Sequence, residues 1–149
     1  MENEYRNIYR NARKAAGLTQ ERWAELLGIS ADSVRQYETG RMLPSDDVVL
    51  TMAELTGLQI LCYWHLTRKS IAAQRILPEL QEKTLPEAVI SLLLLLQDFQ
   101  RGGLQDLLRL AADGKIDQGE TVAFGEALSE LDGVIRAAYE VQYAKEAEA

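Results

Sequence analysis

Between Thr19 and Ser45 the chain reads T-Q-E-R-W-A-E-L-L-G-I-S-A-D-S-V-R-Q-Y-E-T-G-R-M-L-P-S, and a few neighbouring positions inside it carry recognisable chemistry. Gln36 offers an amide that can donate to and accept from an adenine edge at once, and Arg35 a guanidinium that fits guanine or a phosphate. Asp32 can accept from cytosine N4, though it repels phosphates, and the Ala31 methyl can touch the methyl of thymine. Arg41, just beyond them, is placed to anchor a phosphate. Such groups recognise a surface only if a rigid element holds them outward together.

The surrounding residues predict that element. Thr19 is a good N-cap, because its hydroxyl can accept from an otherwise unpaired backbone N–H. Trp23, Leu26 and Leu27 recur at helical spacing. Ala24 stands where two helices would cross, so a small side chain is needed there. Gly28 follows at the position that favours left-handed backbone angles. Ile29 packs under the turn, Ser30 caps the next helix, and Val34 and Tyr37 point back into the domain. Thr39 and Gly40 end it. This is the order of a helix-turn-helix, whose second helix lies in the DNA major groove; an ordinary pair of packed helices is the alternative.

The flanks add three more helices. One runs from about Glu4 to Ala16 with Tyr5, Ile8, Tyr9 and Ala12 as its stripe, ended by Gly17. Another is capped by Ser45, carries Val48, Val49, Met52 and Leu55, and stops at Gly57. A third runs from about Gln59 to Leu66 with Ile60, Leu61, Tyr63 and Trp64.

On Gly17-Leu18-Thr19-Gln20-Glu21, Ala24, Leu27-Gly28-Ile29-Ser30, Val34, Tyr37-Glu38, Gly40-Arg41 and Pro44-Ser45, the segment from about residue 4 to 66 resembles the Cro/phage-repressor (xenobiotic-response-element) helix-turn-helix family. Trp23 stands where the family usually has leucine. The resemblance implies a five-helix, lambda-repressor-like DNA-binding domain. It implies that Gln20 contacts a phosphate at a helix N-terminus, which favours anions in any case. It implies that Ala31, Asp32, Ser33, Arg35 and Gln36 read bases, and that Arg13 and Glu38 form an internal ion pair; read without it, those two are solvated surface charges.

Charge divides the chain. Residues 1–70 hold nine Lys/Arg and nine Asp/Glu, so the whole net charge of −7 lies in residues 71–149. Affinity for DNA is dominated by phosphate neutralisation, so a neutral module binds weakly as a monomer. Either Arg22, Arg35, Arg41 and Lys14 gather on one face and dimerisation supplies affinity, or the module does not bind DNA tightly. The acidic half is not suited to lie on DNA.

Residues 71–85 read as a connector with some helix, broken near Pro78. Thr84 and Glu87 form a capping box, with Pro86 in the first turn. The helix Pro86 to Arg101 carries Val89, Ile90, Leu92 to Leu96 and Phe99; apolar on nearly all sides, it is expected to be buried, its spare face meeting another subunit. Gly102-Gly103 ends it, and Leu104, Leu107, Leu108 and Leu110 mark a short amphipathic helix. A last helix, expected from Asp117 with Glu120 three residues on, runs to about Ala147. Phe124, Leu128, Leu131, Ile135, Ala138 and Gln142 form a heptad-like seam, as a bundle helix or a coiled coil would. The expected dimerisation residues are Leu92, Leu93, Leu95, Leu96, Phe99, Leu128, Leu131 and Ile135.

Other functions fit poorly. Asp113 to Glu120 imitates the second half of a calcium loop, but Arg109 and Ala111 occupy earlier ligand positions. One cysteine, Cys62, and one histidine, His65, make no zinc site; Cys62 reads as a core thiol. There is no nucleophile–base pair and no phosphate loop, so no enzyme and no cofactor is expected. The longest apolar run is far short of the roughly 20 residues that span a membrane, and the polar start is unlike a signal peptide; a cytoplasmic protein is expected.

These features predict an all-α chain: residues 1–70 a DNA-binding domain, 71–85 a connector, 86–149 a helical dimerisation or interaction domain. The expected function is transcriptional regulation, as a repressor, by a homodimer on a near-palindromic operator in double-stranded DNA. The alternatives are an antitoxin-like or adaptor module gripping a protein partner through its acidic C-terminal helices, and an effector-sensing regulator.

Overall fold

Polar side chains placed just before apolar stripes set where the helices begin. The hydroxyls of Thr19, Ser30, Ser45 and Ser70 accept from the N–H groups of Arg22, Ser33, Val48 and Ala73 at 3.1, 3.0, 3.4 and 3.2 Å. Each cap answers a donor the first turn leaves unpaired, a contribution of about 1 kcal/mol. The computed structural model describes residues 7–146; among them the regular structure is all helical. The chain divides between Leu77 and Pro78 into two compact units.

The first unit holds α1 (Ile8–Ala15), α2 (Gln20–Leu27), α3 (Ala31–Glu38), α4 (Asp46–Thr56), α5 (Ile60–Lys69) and α6 (Ile71–Ile76). Its core is one cluster in which Tyr9, Trp23, Val34, Val49, Met52 and Leu61 are buried. Asn7 caps α1, its Oδ1 accepting from the Arg10 N–H at 2.9 Å; the earlier start expected at Glu4 and Tyr5 lies outside the described residues. α5 runs past the expected Leu66 to Lys69, which sets Arg68 and Lys69 at the negative end of the helix dipole. In the stretch expected as connector, α6 packs on α5.

The second unit holds α7 (Leu85–Arg101), α8 (Gly103–Leu110) and α9 (Thr121–Gln142), with α7 along α9 and α8 against both. The capping box is formed: Glu87 Oε2 accepts from the Thr84 N–H at 2.9 Å and its hydroxyl at 2.8 Å. α8 starts at Gly103, where a Cβ would lie 2.7 Å from Glu130 Oε2 and 2.9 Å from the Phe99 ring. The bare glycine lets the Glu130 carboxylate accept the Gly103 N–H at 2.9 Å, an anion from the same chain at a helix N-terminus.

Two expectations change here. α9 begins at Thr121, not Asp117. Asp117 Oδ1 accepts from the N–H groups of Gly119 and Glu120, and Glu120 returns a bond to the Asp117 N–H; the pair closes a turn before the helix. The expected end at Ala147 lies outside the described residues. More consequentially, α7 is not buried. Ala88 is enclosed and Leu92, Leu95 and Phe99 are half-buried, but Val89, Ile90, Leu93 and Leu94 are 46, 57, 53 and 55 % exposed. A three-helix unit gives α7 neighbours on one side only.

Segment 80–85 is tied to the end of α9. Glu140, buried, accepts from the Gln81 N–H at 3.1 Å and from Lys83 Nζ at 2.6 Å. A parallel β-bridge joins Thr84 and Lys145. No helix among the described residues is long and apolar enough to cross a membrane.

Candidate nucleic-acid interface

The junction of α2 and α3 is fixed by backbone. Gly28 adopts φ +66, and a Cβ there would meet nothing within 4 Å, so its left-handed conformation and not space is what calls for glycine. The Ile29 N–H donates to the Ala24 carbonyl at 3.0 Å across the turn. Ala24 and Trp23 are buried beneath it, with Trp23 Nε1 lacking a hydrogen-bond partner among the described residues.

α3 presents one dry and one wet face. Val34, Tyr37 and Glu38 are buried, Asp32 and Arg35 are exposed, and Ala31, Ser33 and Gln36 lie between. Two groups expected on the reading surface are already occupied. Gln36 Nε2 donates to Asp32 Oδ2 at 2.7 Å, one turn back on the same helix. Ser33 Oγ lies 2.9 Å from Ser30 Oγ. The bond from Gln36 engages one of its two amide N–H groups, so the other, with the amide oxygen, stays available for bidentate pairing with adenine. Arg41 is exposed and its position is set by backbone: the N–H groups of Arg41 and Met42 donate to the Gln36 carbonyl at 3.0 and 3.2 Å. Arg22 Nη1 pairs with Glu25 at 2.6 Å on the exposed surface.

Arg13 and Glu38 lie together in the interior. Arg13 Nε donates to Glu38 Oε1 at 2.5 Å, Nη2 to Oε2 at 3.0 Å, and Nη1 to the Leu18 carbonyl at 2.7 Å. The hydrogen bond to Glu38 holds the guanidinium pKa above its already high ordinary value. Gln20 Nε2 donates to Glu38 Oε2 at 2.8 Å. The network therefore joins α1, α2 and α3, and it draws the Gln20 amide inward from the expected phosphate. Its backbone N–H remains part of the α2 N-terminus.

Sequence reasoning missed two supports of this surface. Asn7 Nδ2 donates to the Tyr37 carbonyl at 2.8 Å, clipping the end of α3 to α1. A polar residue directly before the Ile8-Tyr9 stripe was the available signal. Deeper in, buried His65 lies between Tyr9 Oη at 2.8 Å from Nδ1 and Asp46 Oδ1 at 3.1 Å from Nε2. A carboxylate only accepts, so Nε2 donates to Asp46, and in the neutral ring Nδ1 accepts from the tyrosine. Burial pushes the Tyr9 phenol up to about 12. Lys69, then His65, holds the Asp46 carboxyl below its usual range. No spacing rule links positions 9, 46 and 65. Cys62 is half-buried, and burial pushes its thiol up.

In the second unit Leu92, Leu95, Phe99 and Leu131 are half-buried, while Leu93, Leu96, Leu128 and Ile135 are open to solvent. A cleft of about 440 Å³ there is lined by Pro78, Leu95 and the charged Glu79, Glu130, Asp132 and Arg136, among others.

Residues 10–60 match a family described as a helix-turn-helix domain. The match begins inside α1, ends at the first residue of α5 and includes none of the second unit. Comparisons with curated proteins and with solved structures give no match. The first unit thus contains a helix-turn-helix domain, a type of domain that points to DNA binding.

Proposed function

We propose that this protein is a sequence-specific transcriptional regulator of the Cro/phage-repressor kind, acting as a repressor and binding DNA as a homodimer. The observation that carries the reading is the division of α3: Asp32, Arg35 and Gln36 on its wet side, Val34, Tyr37 and Glu38 locked into the domain. In this reading α3 enters the major groove with Arg35 and Gln36 on base edges and Ala31, Asp32 and Ser33 beside them. Arg41 and the α2 N-terminus at Gln20 hold the phosphates. The Arg13–Glu38 pair keeps the three helices in register for that contact.

Two modules held about one helical turn apart each read half of a near-palindromic operator. Pairing multiplies two weak half-site affinities, which suits a module whose charges cancel. The second unit, helical and acidic, supplies the self-association.

A mobility-shift titration against the promoter region upstream of its own coding sequence tests this, and no protein-dependent shift at low salt would sink it. Gln36→Ala is expected to relax sequence preference, whereas Arg41→Ala weakens all sites alike. Equal loss of preference from both contradicts the roles assigned. Co-purification of a different protein at a one-to-one ratio, with no DNA shift, would instead favour the adaptor or antitoxin-like reading.

A further inference from the structure

We propose that a second copy of this chain docks on the outer face of α7, antiparallel to it, with the two-fold axis passing between the two Leu93 side chains; this rests on the homodimer reading above and specifies its contact.

The face is built for a partner. Leu85, Val89, Leu93 and Leu96 form a ridge at helical spacing, flanked by Ile90 and Leu94, and all six are exposed. Residues 88–97 carry no charge. Leu93 is the middle residue of α7, equally far from Leu85 and Arg101. A two-fold contact is self-complementary, so the exposed face can pack on its copy about Leu93, the apolar residues 89–96 at the centre and Leu85 at the level of the other copy's Arg101. In that register Leu93 meets Leu93, Ile90 meets Leu96, and Val89 meets Gln97.

Charge selects the antiparallel direction. At 3.6 residues per turn, Glu87 and Arg101 lie on the same flank of the face, roughly 120° and 80° from Leu93. A parallel pair would place the two Glu87 and the two Arg101 on opposite flanks of the seam, bringing neither to an opposite charge. An antiparallel pair sets each Arg101 within about one turn of the other copy's Glu87. Arg101 makes no ion pair among the described residues. Glu87 is held in place by Thr84 through Oε2, which leaves Oε1 to receive the guanidinium. The same bonds to Thr84 keep its carboxyl below the usual range, hence charged. Antiparallel helices also set opposite dipole ends together.

Cysteine cross-linking of the full chain, in a Cys62→Ser background, tests both face and register. Leu93→Cys is expected to give a disulfide-linked dimer on oxidation. Val89→Cys alone is expected to remain unlinked, but to cross-link when mixed with Gln97→Cys. Val89→Cys linking to itself would overturn the antiparallel register. A chain that is dimeric by light scattering but links at none of these positions would overturn this face and leave the homodimer reading standing. A monomer at every attainable concentration would overturn both. Leu93→Glu is expected to abolish the dimer with its helical circular dichroism unchanged. Should that variant lose helicity, the cross-linking pattern still decides.

Discussion

Tyr9, Trp23, Val34, Val49, Met52 and Leu61 are sealed inside the first unit, whereas in the second Leu110 stands almost alone, among the described residues, as a large side chain fully enclosed. Both units nevertheless use the same polar device. Glu38 in one and Glu140 in the other are buried carboxylates that receive a basic side chain and a further N–H donor from elsewhere in the chain. The contrast lies in the apolar surface. The first unit closes its core with α1 to α5, while α7 leaves a leucine-rich face outside. The first unit also exposes apolar side chains, Leu50, Leu55, Ile71 and Ile76 among them, but they lie outside a core that is closed without them, whereas the second unit's lie on a helix that builds its core.

The contrast can be broken most forcefully at Glu38. Glu38→Ala leaves the Arg13 guanidinium buried without its counter-ion, a loss of about 3–5 kcal/mol. Both tryptophans, Trp23 and Trp64, lie in the first unit, so fluorescence-monitored urea unfolding reads that unit selectively. A change below about 1 kcal/mol, the range of exposed pairs, would show that the pair is solvated and the interior not sealed. Next in size, Glu140→Ala strands the Gln81 N–H and the half-buried Lys83, at a cost of about 2 kcal/mol. It should lower the stability of the second unit by circular dichroism and leave the tryptophan transition in place. Equal movement of both signals would mean that the two units unfold as one.

A smaller effect separates the α3 surface from the scaffold beneath it. Asp32→Ala removes a charge that repels phosphate, and DNA binding is expected to tighten roughly tenfold, about 1.4 kcal/mol. Fluorescence anisotropy with the operator fragment measures it; unchanged or weaker binding would place Asp32 in a productive base contact. The smallest effect concerns Asp46, which is exposed. Its folded-state pKa is depressed by Lys69 and His65, so its contribution is complete above the ordinary value of about 3.9 and is lost as pH falls through the depressed one. Tryptophan-monitored stability of Asp46→Asn should therefore fall less steeply between about pH 4 and 2 than that of the parent. Parallel curves would show that the Lys69 bond contributes nothing in solution.

What was legible in the sequence follows the same division. In the first unit, caps and stripes are local, so Thr19, Gly28, Ser30 and Ser45 mark the helix ends within a residue. The Arg13–Glu38 pair was reached only through family resemblance, because residues 25 apart have no spacing rule. The Tyr9–His65–Asp46 chain, reaching across 56 positions, left no signal at all. In the second unit, composition pointed to an apolar helix with a face to spare, but not to which residues make up that face. The answer depended on helix count and packing, which periodicity does not encode. Likewise the Asp117–Glu120 box reads the same whether it opens a helix or closes a turn.

The bond from Gln36 to Asp32 has a bearing on selectivity rather than on strength. Discrimination between sequences is sharp when a wrong base leaves a polar side chain with nowhere to go. Gln36 has somewhere to go: at a mismatched position its amide can stay on the carboxylate one turn behind it. In the proposed complex a poor site is then forgiven. Operators recognised by this protein should accordingly vary most at the base pair that Gln36 faces.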